Sequence, residues 1–278
     1  MLGAIVGDMV GSRFEWQNIK SKEFDFLTER SALTDDSIMT LAVGRAILAC
    51  EGDYDKLGAL AVHFMREMGR AYPDRGYGGM FRDWLYSDDP HPYGSFGNGA
   101  AMRVSACGFA AGSLDEARAL SRKVTEVTHD HPEGIRGAEA TATAIFLARA
   151  GESLADIRDV IHARYYPMDF TLDEIRDTYS FDVSCQGSVP QAIQAFLEST
   201  CFEDAIRNAI SLGGDSDTIG AITGGIAHAY YGIPDAIREQ VLPHIEKEAS
   251  LHDILLTFEA RFLSPVPSGG MSPIFVNR

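Results

Sequence analysis

The chain has 278 residues, 45% of them hydrophobic, so it is long and apolar enough to bury a sizeable core. Its 24 Lys and Arg against 40 Asp and Glu give a net charge of −16, which repels polyanions and makes nucleic acid an unfavourable bulk partner. The four cysteines are scattered and contain no CxxC pair, which favours neither a zinc site nor a disulfide framework.

The first predicted element is a helix close to the N-terminus. Glycines at positions 3, 7 and 11 share one face of it, which indicates close packing against another helix. Asp8 lies on the same crowded segment, so its carboxylate needs hydrogen bonds or a counter-charge, and we predict a supporting role for it. Glu15 follows, between two aromatic residues, and is either a surface residue or a general base. This segment has no basic leader and the chain has no membrane-length apolar run, so we expect a cytoplasmic protein.

Two further segments place a hydroxyl and two acids at the start of an apolar helix. They are Thr34-Asp35-Asp36 and, much later, Asp215-Ser216-Asp217-Thr218. One Asp is enough to cap a helix, so the second acid in each segment needs another explanation. If the two helix starts meet, four carboxylates repel one another, and one or two hard divalent cations such as Mg, Mn or Ca would relieve the repulsion. The simpler alternative is two capping sites, Thr34 and Asp215, with solvated acids beside them.

The rest of the chain is predicted to be almost wholly helical. Helices are expected at 34–50, 54–68, 114–129, 133–149, 154–164 and 204–212, with one more ending near Leu197 and a buried one after Asp217. No useful length of sequence before the tail alternates with the period of a strand, so a sheet-based fold is not supported. We therefore predict one α-helical domain over residues 1–262 and a Pro/Gly/Ser-rich tail over 263–278, in which Ile274-Phe275-Val276 is a docking candidate.

Two loops are candidate binding segments. The first precedes a short helix, and its aromatic residues Tyr77, Phe81 and Trp84 either belong to the core or line a pocket that stacks a flat ligand. The second runs from Gly94 to Arg103 and enters a helix of small residues, an arrangement that binds phosphate through backbone N–H groups. It matches neither a Walker A motif nor a dinucleotide fingerprint, and a glycine-rich turn without a ligand is the alternative.

A pair of histidines follows the predicted helix 114–129. His129 and His131 flank an acid, so they either ligate a transition metal, contact a ligand hydroxyl or phosphate, or form a polar hinge. Contact with a ligand is the interpretation that we favour.

Five motifs together resemble those of the ADP-ribosylglycohydrolases, the group that includes the dinitrogenase reductase-activating glycohydrolase and its mammalian relatives. They are GxxxGDxxGS at 3–12, TDDS at 34–37, GSFGNGAAMR at 94–103, TH at 128–129 and GGDSDTIGA at 213–221. The resemblance extends through about Gly232. Two positions depart from it, since Phe96 stands where a Tyr is often seen and His228 interrupts a run that is usually Ala and Gly.

The resemblance implies a compact all-α orthogonal bundle with a dinuclear magnesium or manganese site, which releases ADP-ribose from an ADP-ribosylated protein or small molecule. It implies six metal ligands: Thr34, Asp35, Asp36, Asp215, Asp217 and Thr218. It implies that the diphosphate and distal ribose are held by Gly94, Ser95, Phe96, Gly97, Asn98 and Gly99, with His129 as a further substrate contact. Asp36 and Glu15 are the candidate general bases, and the sequence does not choose between them.

Alternatives from other classes remain at this point. Isoprenoid-type helical enzymes use a DDxxD pattern, but Ser37-Ile38-Met39 follows the acid pair here. A non-catalytic ADP-ribose-binding relative would be expected to lack metal ligands, and all six are present. The acidic chain favours a cationic acceptor such as arginine, with serine, a metabolite ester or a nucleobase as the other possibilities.

Overall fold

The computed structural model describes residues 1–263. The predicted tail beyond Leu263, with Ile274-Phe275-Val276, lies outside the described residues. Residues 1–263 contain helices and one isolated bridge between Gly97 and Ser184, with no β-strand, which confirms the predicted all-α bundle. The α-helices, in chain order, are α1 (Leu2–Gly11), α2 (Asp35–Ala49), α3 (Leu57–Ala71), α4 (Gly79–Tyr86), α5 (Gly99–Met102), α6 (Ser105–Ala110), α7 (Leu114–Thr125), α8 (Pro132–Ala150), α9 (Leu154–Arg164), α10 (Leu172–Arg176), α11 (Cys185–Leu197), α12 (Phe202–Ser211), α13 (Ser216–Tyr231), α14 (Asp235–Glu246) and α15 (Ala249–Phe262).

Helix α13 lies at the centre of the bundle. It packs against α1, α8, α11 and α12, and every residue from Ser216 to His228 is buried. Burial of a helix on all sides requires a sequence without a charged face, and only Asp217 breaks this rule before His228. Because α1 contacts both α2 and α13, it holds the first turns of these two helices near each other.

The close contact between α1 and α13 depends on glycine. A Cβ atom on Gly3 or Gly7 would overlap the carbonyl oxygen of Gly224 or Gly220, respectively. A Cβ atom on Gly11 would lie 2.6 Å from the backbone nitrogen of Asp217. The three glycines predicted to share a packing face therefore do so, and their partner is the helix that begins with the second acid pair.

Several helix boundaries differ from the predicted ones. The helix predicted over 114–129 ends at Thr125, where the Thr128 N–H donates to the Thr125 carbonyl three residues back, at 3.1 Å, instead of the carbonyl four residues back that an α-helix would use. The start predicted at Tyr54 is a 3-10 turn (Tyr54–Lys56) that leads into α3. Helix α9 occupies the predicted range 154–164. Among the described helices, none is long and apolar enough to cross a membrane.

Candidate active site

A cavity of about 400 Å³, the size of a small-molecule site, opens beside the starts of α2 and α13. Its walls come from both acidic helix starts, from the loops before α4, α5 and α11, and from the segment after α1. It is lined by Glu15, Trp16, Asp35, Asp36, Gly76, Gly78, Gly79, Met80, Phe81, Tyr93, Ser95, Gly97, Asn98, Gly99, Met102, Arg103, His129, Phe181, Val183, Asp215, Asp217 and Thr218.

Asp8, on α1, fixes the start of α2. Its Oδ1 accepts a hydrogen bond from Thr34 Oγ1 at 2.7 Å, and its Oδ2 accepts from the backbone N–H groups of Thr34 and Ser37 at 3.0 and 3.1 Å. The Ser37 hydroxyl is a further donor to Oδ2. Burial raises the pKa of Asp8 to about 6 in spite of these hydrogen bonds. The carboxylate thus has the partners that its crowded position required.

The two acidic helix starts meet, as the cation hypothesis required. Thr218 Oγ1, in the first turn of α13, donates to Asp36 Oδ2 in the first turn of α2 at 3.3 Å. Asp36 is buried, and its Oδ1 has no hydrogen-bond partner among the described residues. A buried carboxylate oxygen without a donor is costly unless a cation occupies its free side.

The capping alternative holds for one helix start and fails for the other. Thr34 Oγ1 accepts from the Asp36 N–H at 3.2 Å and caps α2. Asp215 stands at the N-cap of α13, but its side chain makes no capping bond. Its Oδ2 accepts instead from Asn98 Nδ2 at 2.7 Å. Capping therefore does not explain Asp215, whose carboxylate faces the glycine-rich loop.

The carboxylates at these helix starts raise one another's pKa. Burial is the largest cause for each of them. The neighbouring carboxylates add to it, so that the pKa of Asp35 rises to about 8 and the pKa values of Asp36 and Asp217 lie well above the usual range. Glu15 behaves similarly, since burial and then Asp215 raise its pKa to about 7.

The acidic group is chemically suited to a hard divalent cation. Carboxylate oxygens of Glu15, Asp215 and Asp217 lie within 4.8 Å of one another. Among the described lining residues Arg103 is the one cationic side chain, and its guanidinium donates to Thr128 at 2.6 Å rather than to the acids. Oxygen donors, mutual repulsion and the unpartnered Asp36 Oδ1 all favour a bound cation.

Glu15 is positioned by a residue that the sequence did not single out. The Asn18 side chain donates to the carbonyls of Phe14, Glu15 and Gly214 at 2.7, 3.0 and 2.9 Å. Its Oδ1 accepts from the Gly214 N–H at 2.8 Å. Asn18 therefore ties the segment after α1 to the turn that precedes Asp215. A lone Asn in a loop gives no sequence signal for such a bridge.

The glycine-rich loop is only partly inside the cavity. Its lining residues are Ser95, Gly97, Asn98 and Gly99. Gly94 is outside them, and its N–H donates to Asp130 Oδ1 at 2.7 Å. Phe96 is 47% exposed, and its ring centroid lies 5.2 Å from that of His131.

The two histidines have separate surroundings. His129 is buried and lines the cavity, and its Nδ1 lies 2.8 Å from Thr128 Oγ1. Its Nε2 lies next to Gly99, since a Cβ atom added to that glycine would be 3.4 Å away. Burial and the positive charge of Arg103 hold the pKa of His129 well below its usual value, so the ring is neutral. His131 Nδ1 accepts from the Glu133 N–H at 3.1 Å and caps α8. Ligand contact is therefore open to His129, and capping is the function of His131.

The aromatic residues before and within α4 divide between core and cavity. Phe81 lines the cavity, with Trp84 stacked on it at a centroid distance of 5.3 Å. Trp84 is 4% exposed and belongs to the core, and Tyr77 packs against Phe81 at 5.8 Å. The core interpretation therefore holds for Trp84, whereas Phe81 lines a cavity, and the stacking of a flat ligand on it stays a prediction.

The comparison with known proteins agrees with this arrangement. A model of the ADP-ribosylglycohydrolase family matches residues 1–263. The chain belongs to this family. The family model spans all five motifs, so the resemblance inferred from them is confirmed, and the protein is a hydrolase by membership.

Several relatives in the family are similar along most of their length. ADP-ribosylhydrolase ARH3 of Homo sapiens is 29% identical, over 84% of this chain and 84% of its own. The ADP-ribosyl-(dinitrogen reductase) glycohydrolase of Rhodospirillum rubrum is 24% identical, over 84% of this chain and 85% of its own. ADP-ribosylarginine hydrolase Tri1 of Pseudomonas putida is 25% identical, over 84% of this chain and 70% of its own. A solved ADP-ribosylglycohydrolase-related protein complex has the same fold, with a TM-score of 0.67 and 22% identity over 93% of this chain and 95% of that one.

Proposed function

We propose that this protein hydrolyses the bond between ribose C1 of an ADP-ribosyl group and its acceptor, with arginine as the favoured acceptor, and releases ADP-ribose. The observation that supports this most directly is the meeting of the two acidic helix starts through Thr218 and Asp36, beside the cavity that the glycine-rich loop also lines.

We further propose a pair of Mg²⁺ or Mn²⁺ ions as the cofactor. The ligands would be the six predicted ones, Thr34, Asp35, Asp36, Asp215, Asp217 and Thr218. The unpartnered Asp36 Oδ1 and the oxygen-only donor set support this choice. Bound cations of this kind supply Lewis acidity to the ribose hydroxyls and to a water molecule.

Among the chain's own groups, Glu15 is the better placed of the two candidate bases. Both residues line the cavity, but Asp36 is buried and accepts a hydrogen bond from Thr218, whereas Glu15 is half-buried and lies near Asp215 and Asp217. A carboxylate in this position would accept the proton of a water molecule as the water oxygen bonds to ribose C1. The bond from C1 to the acceptor breaks through an oxocarbenium-like state, and the acceptor takes up a proton.

The glycine-rich loop would hold the diphosphate and distal ribose. The N–H groups of Gly94, Gly97 and Asn98 already donate to other residues of the protein. The proposed donors are therefore the N–H groups of Ser95, Phe96 and Gly99. His129 is neutral and is therefore a hydrogen-bonding contact rather than a charge partner. Arg103 also lines the cavity and donates to Thr128, so it would contribute positive charge beside the loop.

We propose arginine as the acceptor on the basis of charge. A cationic guanidinium suits a cavity whose lining contains five carboxylates, and one relative is named an ADP-ribosylarginine hydrolase. The other candidates are a small ADP-ribose ester or another ADP-ribosyl conjugate. A non-catalytic ADP-ribose binder is disfavoured because the whole set of proposed ligands is present.

The test is release of free ADP-ribose from ADP-ribosyl-arginine and ADP-ribosyl-serine peptides, with Mg²⁺, with Mn²⁺ and with EDTA. We expect metal-dependent release, with arginine preferred. Asp217→Ala should abolish turnover and weaken metal binding measured by calorimetry, whereas Asp159→Ala, on the exposed side of α9, should change neither. Full activity in EDTA would refute the cation site, and release from the serine peptide alone would refute the arginine preference.

A further inference from the structure

Two exposed aromatic side chains stand at one edge of the cavity. Trp16 is 78% exposed and Phe181 is 41% exposed. Their rings stack on each other, with centroids 5.3 Å apart and an angle of 24° between the planes. Trp16 follows α1 and Phe181 precedes α11, so the pair joins two loops that are distant in sequence. The five motifs include neither residue.

The aromatic pair lies beside the carboxylates rather than in the core. Trp16 is the neighbour of Glu15 in the chain. Glu15 in turn lies within 4.8 Å of Asp215 and Asp217, measured between carboxylate oxygens. Both aromatic rings also line the cavity. A group attached to the reacting ribose carbon would therefore pass close to these rings.

The chemistry of this edge suits a planar cation. Aromatic faces attract a guanidinium by stacking and by the cation–π interaction, and the carboxylate of Glu15 adds negative charge at the same edge. A hydroxyl acceptor such as serine has neither a plane to stack nor a charge. The remaining surface of the two rings is apolar and open to solvent, so a ligand that covers it removes apolar area from water.

We propose that Trp16 and Phe181 form the platform on which the guanidinium of an ADP-ribosylated arginine stacks, so that they determine acceptor specificity. This inference rests on the proposed function and identifies the part of the cavity that recognises the acceptor. ADP-ribose itself, which lacks the acceptor, does not use the platform.

The experiment compares Trp16→Leu, Trp16→Phe and Phe181→Leu with the unaltered protein. The readouts are kcat/KM on the arginine and serine peptides and the Kd of free ADP-ribose by calorimetry. Trp16→Leu should lower kcat/KM on the arginine peptide by roughly 2- to 30-fold, the range that a cation–π contact supplies. Trp16→Phe should retain most of the preference for arginine over serine because it retains an aromatic face. Leu256→Ala, which removes an exposed apolar side chain on α15, should leave all readouts unchanged.

The results separate this inference from the proposed function. A selective loss on the arginine peptide, with an unchanged Kd for ADP-ribose, supports the platform. Arginine hydrolysis that is unaffected by both leucine variants overturns the platform alone, and so does an equal loss on both peptides together with weaker ADP-ribose binding. Failure of the unaltered protein to hydrolyse the arginine peptide overturns the platform together with the proposed acceptor.

Discussion

The close contact between α1 and α13 predicts that Gly7→Ala destabilises the protein. The added methyl group would overlap the Gly220 carbonyl oxygen and lie 2.9 Å from the Ala221 nitrogen. Both obstacles are backbone atoms of a buried helix, so they cannot move aside as a flexible side chain can. The two helices must therefore separate or shift along each other.

The expected cost follows from two opposing effects. Overpacking of a dense interior destabilises by roughly 1–3 kcal/mol, whereas replacing Gly by Ala in a helix stabilises by about 0.5–1 kcal/mol. Because the obstacles are backbone atoms, the overpacking cost for Gly7→Ala lies in the upper part of its range, about 2–3 kcal/mol. The net result is a loss of about 1–2.5 kcal/mol in the free energy of unfolding, or roughly 2–10 °C in Tm for a chain of this size. Gly58→Ala provides the matched control, because its methyl group would meet Lys123 O at 3.6 Å and Val127 at 3.8 Å, which are ordinary contacts. Only the stabilising effect remains there.

The assay is thermal unfolding followed by circular dichroism, with EDTA and with added Mg²⁺. Gly7→Ala should melt below the unaltered protein, and Gly58→Ala at or above it. Because α1 and α13 hold Asp8 and Asp217 in place, Gly7→Ala should also reduce the rise in Tm that Mg²⁺ produces. Equal melting temperatures for Gly7→Ala and Gly58→Ala would refute the claim that close backbone approach requires glycine at position 7.

Two other changes test the surroundings of the site. Asn18→Ala removes the hydrogen bonds to Gly214, so Glu15 loses its fixed position. We expect kcat to fall on the order of 10- to 100-fold with a small change in Tm. An unaltered kcat would contradict the positioning role of Asn18. His228→Gln tests a buried neutral histidine, whose pKa is held well below its usual value by burial and then by the positive charges of the N-terminal amine and Arg238. Since the unfolded chain binds a proton there below about pH 6.5 and the folded chain does not, stability falls with falling pH in that range, by up to about 1.4 kcal/mol per pH unit. The variant should show a shallower fall between about pH 6.5 and 5 in urea titrations, and identical slopes would exclude His228 as a source of it.

The sequence predicted those features that have a local signature. Spaced glycines predicted the close face of α1. Paired acids at two apolar helix starts predicted mutually repelling carboxylates if these starts meet, and they do meet through Thr218 and Asp36. It also predicted the helical class, because apolar residues with helical spacing recur along most of the chain.

The sequence did not predict features that depend on contacts between distant segments. Asn18 and Gly214 are 196 positions apart, and nothing local to either residue indicates their hydrogen bonds. Trp16 and Phe181 resemble ordinary exposed aromatics until the fold stacks them. The predicted end of helix 114–129 was wrong because Thr128 donates to the carbonyl three residues back, and helical spacing in the sequence does not show this tighter turn.

The close packing of α1 against its neighbours also determines the geometry of the acidic site. Burying the two acidic helix starts is unfavourable unless protein groups replace the contacts with water that they lose. Helix α1 lies close to both starts and contacts each of them. The Asp8 carboxylate on α1 accepts four hydrogen bonds, from the backbone N–H and the side-chain hydroxyl of both Thr34 and Ser37, and these bonds fix the start of α2. Gly11, also on α1, lies against the backbone of Asp217, which fixes α13. A larger residue at position 11 would move one acidic start away from the other, so the same glycine face that gives this helix its dense packing also sets the distance across which a cation would be held.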